Sequence, residues 1–440
     1  MLCNKCYFNQ KNKNYFYYNQ KRVKMKKKYQ IVIVGAGTGG IMTAAQLLRK
    51  DKDLDIAIID PSEIHVYQPA WTLVGGGAFS FEKTKRLTAS VIPKGASWIQ
   101  DKVVSLEPEN NSLTTEKSGE LTYDYLVLAP GLVYDLDGIE GLRENLGKNG
   151  VCSNYTDPNY TWELIKNFKG GNAVFTQPIT PIKCGGAPQK IAYLAADYFR
   201  KNKLKNAEVV FATPGSVIFG VKEFAATLMQ VIYRYGIHFK PHYAPVKIDG
   251  EKKLVYFKSI APEENQCVVN EGNVLKEEFH GESEIVMPYD ILHLAPPQMA
   301  PDFIRNSNLV NAQKWLDVDI VSLQHIKFKN IFGLGDVAAL PTAKTGAAIR
   351  KQAPVVVDNI LTLIKENKLG HSMYEGYSSC PLVTGYGKLV LAEFKYDNVR
   401  DSDPFLSKFV DTSKEKWSMW LLKKYGLPYL YWNKMLKGKM

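Results

Sequence analysis

The sequence predicts an α/β fold in which two Rossmann-like domains are followed by an amphipathic C-terminal region. Three observations carry this. Near the start an apolar strand runs into a glycine-rich turn and a helix. Further apolar strands, each ending in a turn, recur along the chain. The last thirty residues interleave aromatic side chains with lysines.

The opening unit is Tyr29–Val34, Y-Q-I-V-I-V, followed by Gly35-Ala36-Gly37-Thr38-Gly39-Gly40 and a helical stretch from Ile41 to about Lys50. A second apolar strand, Ile56–Ile59, ends on Asp60. This is G-x-G-x-x-G in the setting that dinucleotide binding requires. Gly35 allows the tight turn, Gly37 a close approach of backbone to pyrophosphate, and Gly40 the packing of helix on strand. The helix N-terminus offers unpaired N–H groups to phosphate, and Asp60 stands where a ribose hydroxyl is accepted.

Two later segments bear on which dinucleotide is held. Tyr123-Asp124-Tyr125-Leu126-Val127-Leu128-Ala129-Pro130-Gly131 resembles the returning strand of flavoproteins with two dinucleotide-binding domains, the disulfide-reductase-like architecture. Asn330-Ile331-Phe332-Gly333-Leu334-Gly335-Asp336 resembles their second FAD signature, whose aspartate binds the ribityl chain. The resemblance implies FAD, in a discontinuous domain of residues 29–145 and 290–375, with residues 146–289 forming the second domain.

Where NADH-using relatives carry a second glycine fingerprint, this chain has Asn172–Thr176 leading into Gln177-Pro178-Ile179-Thr180-Pro181-Ile182-Lys183-Cys184-Gly185-Gly186-Ala187-Pro188. No glycine triad follows that strand, nor the next one, Glu208–Ala212. The electron donor is therefore expected to be smaller than NADH. Pro188 suits the first turn of a helix. A thiolate at Cys184, near that helix start and beside Lys183, is electrostatically favoured and nucleophilic. On the residues alone, a buried structural cysteine remains the alternative.

Thr180–Lys190 resembles the cysteine segment of mitochondrial-type (type II) sulfide:quinone oxidoreductases. So do Tyr67-Gln68-Pro69-Ala70-Trp71-Thr72-Leu73-Val74-Gly75, Ser378-Ser379-Cys380-Pro381-Leu382-Val383-Thr384-Gly385-Tyr386, Pro341-Thr342-Ala343-Lys344-Thr345 and Tyr431–Leu436. The resemblance runs from about Tyr29 to the C-terminus. It implies that Cys184 and Cys380 form a disulfide or sulfur-bridged pair beside the flavin. Sulfide opens the bridge, two electrons pass to the flavin and on to quinone, and a small acceptor (a thiol or sulfite) takes the sulfur. It also implies that Lys344 lies at the flavin's pyrimidine edge. Gly35, Gly37, Thr38, Gly39, Gly40, Asp60, Gln68, Val103, Ala129, Gly131, Asp336 and Gly346 are expected around FAD, and Tyr386 and Phe394 around quinone. Cys152 and Cys267 lie outside these segments and read as structural. A type II NADH:quinone dehydrogenase is the alternative; it predicts the glycine fingerprint that is missing.

Residues 412–440 hold Trp417, Trp420, Tyr425, Tyr429, Tyr431 and Trp432 among seven lysines and one Glu, with Gly426-Leu427-Pro428 expected to divide two short amphipathic segments. Such density suits the interfacial zone of an anionic membrane. Residues 376–440 thus read as a cysteine and quinone region with a membrane-associating tail, one that leaves flavin binding to the domains before it. Packing of the tail on the flavin domain, or on a partner in a homodimer, is the alternative. No run of eighteen apolar residues occurs. The net charge is +12, but residues 1–28 carry nine Lys or Arg and no acid, so the excess lies mostly in the leader and nucleic-acid binding is not expected. An acid-free basic leader fits mitochondrial targeting, and with the tail it places the expected site at the inner membrane, as a peripheral protein. Cys3 and Cys6 of the leader, lacking a strand before them, read as incidental.

Overall fold

The computed structural model describes residues 26–261, 272–281 and 283–440; the leader to residue 25 and Cys267 lie outside them. Strand β1 (Lys28–Val34) buries Tyr29 and Ile31–Val34, and β2 (Ile56–Ile59) is buried throughout. Both faces of this sheet are covered, which is why its parallel strands read as unbroken apolar runs rather than alternating ones. Helix α1 (Thr38–Lys50) packs Ile41, Ala44, Leu47 and Leu48 against Ile31 and Ile33 on one face. Val32 and Val34 face the opposite layer with Leu316 and Ile331.

The strand order of the first sheet is Ala96–Ile99, β2, β1, Gly119–Leu128, Ser112–Thr115 and Val103–Glu107, with Ile331–Gly333 added alongside Gly119–Leu128. The second sheet runs Val151–Cys152, Ile291–Leu294, Gly171–Thr176, Ala207–Thr213, His238–Pro241, every pair parallel. Helices Ala187–Lys201 and Lys222–Tyr235 cover one face of it. The other face is covered by a four-stranded antiparallel sheet that includes Tyr243–Asp249 and Leu254–Ser259. That layer was not anticipated. Nor was the place of Ile291–Leu294: it belongs to the second sheet, so the chain leaves that unit after residue 294, not at 289. Tyr289-Asp290-Ile291-Leu292-His293-Leu294-Ala295-Pro296 nearly repeats Tyr123–Pro130, yet the two strands belong to different sheets.

The hairpin of Ser378–Gly385 and Lys388–Phe394 pairs Cys380 with Ala392 and Ser379 with Glu393. Side chains alternate across a strand. Cys380, Leu382, Val390, Ala392 and Phe394 therefore enter the core of the second domain, while Ser379, Pro381, Leu391 and Glu393 face a cavity on the other side.

Beyond the hairpin, Trp417–Leu421 and Leu427–Asn433 are helical, and the expected break at Gly426-Leu427-Pro428 is absent. A single π-helical turn, Leu422–Gly426, joins them. That wider turn precedes Pro428, which sits in the first turn of the second helix, where its missing N–H costs nothing. Met419, Trp420, Tyr431, Met435 and Leu436 are buried on the protein, whereas Trp417, Tyr425 and Tyr429 are at least 60% exposed. The inward face is thus built into the molecule, and only the outward one is left for another surface. Among the described residues no helix is long and apolar enough to cross a membrane.

Candidate active site

Cys184 follows the Gly171–Thr176 strand and stands three residues before the start of the Ala187–Lys201 helix, with φ at +53°. A non-glycine residue there is strained, and such strain gathers at functional positions. The loop is pinned on both sides. Cys184 N–H donates to the Lys344 carbonyl at 2.9 Å. Tyr155 Oη donates to the Lys183 carbonyl at 2.9 Å.

The sulfur of Cys380, 196 residues away, lies 3.4 Å from that of Cys184. Gly186 makes this approach feasible. A β-carbon there would fall 2.6 Å from the Cys380 sulfur and 2.4 Å from Leu382 Cδ2. The hairpin therefore fills the space above the glycines where, in a second nucleotide site, a pyrophosphate would lie.

Lysines surround the pair. Lys190, one turn into the helix, places Nζ 3.1 Å from the Cys184 sulfur. The S–H of Cys380, donating to Cys184, and then Lys190 hold the Cys184 thiol well below the usual range. The same sharing of one proton, with burial, pushes Cys380 well above it. Burial works against the charge on Lys190, yet the two sulfurs keep its pKa raised. Lys183, expected beside the thiolate, instead pairs with Asp336 at 2.8 Å. Lys423 of the tail is buried and donates to the Pro69 carbonyl at 2.7 Å. Burial, then repulsion from Lys190, brings its pKa down to about 7. Lys190 lay within the Thr180–Lys190 segment but was not singled out. Lys423, one of seven tail lysines, carried no signal. Cys152, by contrast, is fully buried, its thiol pushed up to about 12 by desolvation.

The same cavity receives Gln68, Lys344 and Gly346. Lys344 donates to the Asp336 and Ala338 carbonyls at 2.8 and 2.9 Å, and burial lowers its pKa to about 8. Five leucines also line the cavity, Leu391, Leu406, Leu422, Leu427 and Leu430, with Glu393, Asp403 and Lys423 among them. Neither Tyr386 nor Phe394 lines it. Tyr386 Oη donates to the Gly76 carbonyl at 2.6 Å, and Phe394 packs edge-on against Phe219, 5.7 Å between ring centres. Strand alternation turned Phe394 inward.

The first domain's glycine turn fits a dinucleotide. A β-carbon at Gly35 (φ +105°) would lie 2.3 Å from the Ala129 carbonyl oxygen, so the Gly35 and Ala129–Gly131 turns need each other. Gly37 and Gly131 have open space on their side-chain side. Helix α1 starts with no side-chain cap and no acid in its first turn, which leaves its N–H groups to a ligand. Asp60 accepts from Ala36 N–H at 2.7 Å and Ser62 N–H at 2.8 Å; each oxygen keeps a lone pair for a hydroxyl. A β-carbon added at Gly39 would lie 3.3 Å from that of Ala129. Val103 is buried at the start of the edge strand, in the core rather than the cavity.

Residues 29–354 match the family described as pyridine nucleotide-disulphide oxidoreductase. The mitochondrial sulfide:quinone oxidoreductase of Dictyostelium discoideum is 42% identical, covering 94% of this chain and 88% of the relative. That of Mus musculus is 39% identical, covering 94% and 87%. The solved structure of the Aquifex aeolicus sulfide:quinone oxidoreductase superposes with a TM-score of 0.71 over 92% of each chain, at 23% identity, a likeness of fold. By the family match and these two relatives, the chain belongs to the mitochondrial sulfide:quinone oxidoreductase family.

Proposed function

We propose that this protein oxidises sulfide through Cys184 and Cys380, passes two electrons through FAD to quinone, and hands the sulfur to a small thiol or sulfite. The observation that carries the reading is the meeting of the two cysteines, with Lys190 against one of them, where a nicotinamide nucleotide would otherwise bind.

The chemistry follows from the partners of each sulfur. In the bridged pair, hydrosulfide attacks Cys380, forming a persulfide there and releasing Cys184 as thiolate. The ammonium of Lys190 stabilises that leaving group, and a better leaving thiolate makes exchange faster. A nucleophilic acceptor then takes the outer sulfur, leaving Cys380 as a second thiolate; the bridge re-forms when the two thiolates give up two electrons. FAD, when bound, accepts that pair and delivers it to quinone. Lys344 and Lys423 add positive charge to the cavity, which favours anionic sulfide and acceptor. The leucines lining the cavity, Leu391, Leu406 and those of the tail, are the place offered to quinone.

The exposed Trp417, Tyr425 and Tyr429, with the exposed Phe405 and Phe409, are the rings proposed to enter a membrane interface; the relatives' names support a mitochondrial place for it, and the inner membrane is the proposed surface. Rings of this kind with lysines nearby bind such interfaces without crossing them.

Anaerobic sulfide should bleach the flavin absorbance of the purified protein, and NADH should not. Cys184→Ser and Cys380→Ser should retain flavin yet lose sulfide bleaching, while Cys152→Ser keeps it. Bleaching by NADH alone would move the protein to the NADH:quinone dehydrogenases.

Lys190→Met removes the cation at the Cys184 thiolate. Since Lys190 lowers that pKa, its loss should raise it, and the thiolate fraction at neutral pH should fall. The pH profile of iodoacetamide alkylation at Cys184 in reduced protein, followed by peptide mapping, should move upward by about one unit, a differential interaction of roughly 1.4 kcal/mol. A profile that stays in place would remove Lys190 from the mechanism.

Replacing Trp417, Tyr425 and Tyr429 together by serine should weaken sedimentation with anionic liposomes at least tenfold, since each side chain buried in the interface contributes up to roughly 1.5–3 kcal/mol. Sulfide bleaching should be untouched, because none of the three lines the cavity. Undiminished sedimentation would show that another surface anchors the protein.

A further inference from the structure

The C-terminal segment reaches the nucleotide loop of the first domain through one side chain. Tyr431 is 4% exposed. Its Oη lies 2.9 Å from Thr38 Oγ1 and 2.6 Å from His65 Nε2. The other ring nitrogen of His65, Nδ1, faces the Ala36 carbonyl at 2.9 Å.

That carbonyl fixes the direction of every bond in the chain. It can only accept, so Nδ1 carries the proton. Burial keeps the His65 ring neutral by lowering its pKa, which leaves Nε2 as an acceptor. Tyr431 must then donate to Nε2, and its oxygen accepts from the Thr38 hydroxyl. Ala36 and Thr38 flank Gly37 in the glycine turn, and Thr38 is the first residue of α1. On the opposite side the Ala36 N–H is held by Asp60 at 2.7 Å. The loop is clamped between the end of β2 and the tail.

The rest of the segment follows α1. Gly438 (φ +62°) lies against it so closely that a β-carbon would stand 2.8 Å from the Ala45 carbonyl carbon and the Gln46 nitrogen. Gln46 Nε2 donates to the main-chain oxygen of Met440 at 2.5 Å. Contacts at Thr38 and at Gln46 are about 12 Å apart along the helix, at about 1.5 Å per residue. The Tyr431 ring is itself fixed, 4.5 Å from that of Tyr67 and edge-on to Trp432 at 5.0 Å.

We propose that Tyr431 is a positioning residue for the flavin nucleotide: through Thr38 and His65 it holds the diphosphate-binding turn in shape, so the C-terminal segment is part of the cofactor site. This rests on the reading that FAD occupies that turn. Tyr431 acts on the turn through Thr38 and His65, and the effect is read as cofactor affinity.

Tyr431→Phe keeps the ring and its stacking and removes only the oxygen that links Thr38 to His65. FAD titrated into apoprotein, followed by quenching of its fluorescence, should bind the variant about tenfold more weakly, equivalent to about 1.4 kcal/mol. Thr38→Val breaks the same link from the other end. It should weaken FAD to a similar degree, and the double variant should be no weaker than the worse single one, the signature of a shared interaction. Wild-type affinity in Tyr431→Phe overturns the proposal. So does a loss that adds fully to that of Thr38→Val, or a fall in the thermal midpoint of the apoprotein with FAD affinity unchanged. Wild-type apoprotein that takes up no FAD overturns the cofactor reading as well, which separates the two failures.

Discussion

Gly186 has no room for a β-carbon, and the arrangement of the whole cavity depends on that. The Cys380 sulfur and the Leu382 side chain occupy the volume that any larger residue would need. Two segments 196 residues apart can therefore share one sulfur–sulfur contact. The contact is held from both sides. The hairpin sinks Cys380, Leu382, Val390 and Ala392 into the core of the second domain, and the Cys184 loop hangs from the Lys344 carbonyl of the first. At roughly 1.5–3 kcal/mol for each fully buried apolar side chain, the hairpin's anchorage far exceeds what a strained φ at Cys184 costs, about 1–3 kcal/mol. A domain that resembles a nucleotide binder thus has its phosphate site filled by protein, and the filling brings the second thiol.

Four lysines converge on this cavity, and each is accommodated differently. Lys183 has the Asp336 carboxylate, Lys344 two carbonyls, Lys190 the Cys184 sulfur and Lys423 a single carbonyl. Buried cations without full compensation lose their protons more readily. Lys344 and Lys423 accordingly have lowered pKa values while Lys190, facing two sulfurs, is raised. Lys183 is raised as well, by Asp336, which also neutralises it. Of the four, Lys190 is therefore the one whose firm positive charge is set against a sulfur.

Much of this was legible in the sequence, and what was not has physical causes. The strand–glycine–helix unit could be read because its requirements are local: a turn at Gly35, close packing at Gly40, an acid at the end of β2. The pairing of Cys184 with Cys380 could not follow from spacing and came from resemblance, since contact across 196 residues is decided by the packing of a hairpin on a domain. Lys183 was favoured over Lys190 because it is adjacent in sequence. At a helix start the side chain one turn on points back toward the N-terminus, and the adjacent one was drawn to Asp336. Phe394 was placed on the quinone side without its strand register, and a single residue of register decides which face a side chain takes. The antiparallel layer of the second domain was passed over because its strands alternate weakly and are broken by polar turns.

The tail shows why amphipathicity left two readings open: each was half of the arrangement. One face of residues 417–436 is buried against α1, Pro69 and the cavity, and the other carries exposed rings. An amphipathic helix that ends at a membrane normally keeps its apolar side for lipid and its polar side for water. Here the protein takes the side bearing Tyr431 and Lys423, and the side bearing Trp417, Tyr425 and Tyr429 remains outward. The element that would touch lipid is therefore the same one that touches the nucleotide turn and lines the cavity. A displacement of the tail by lipid would be felt at Thr38 and at the Cys184 cavity together, because Tyr431 and Lys423 lie on one continuous helical path. On the function proposed above, surface attachment, cofactor retention and access for a hydrophobic acceptor would all fall to a single segment of under thirty residues, and removing it would not separate one from the others.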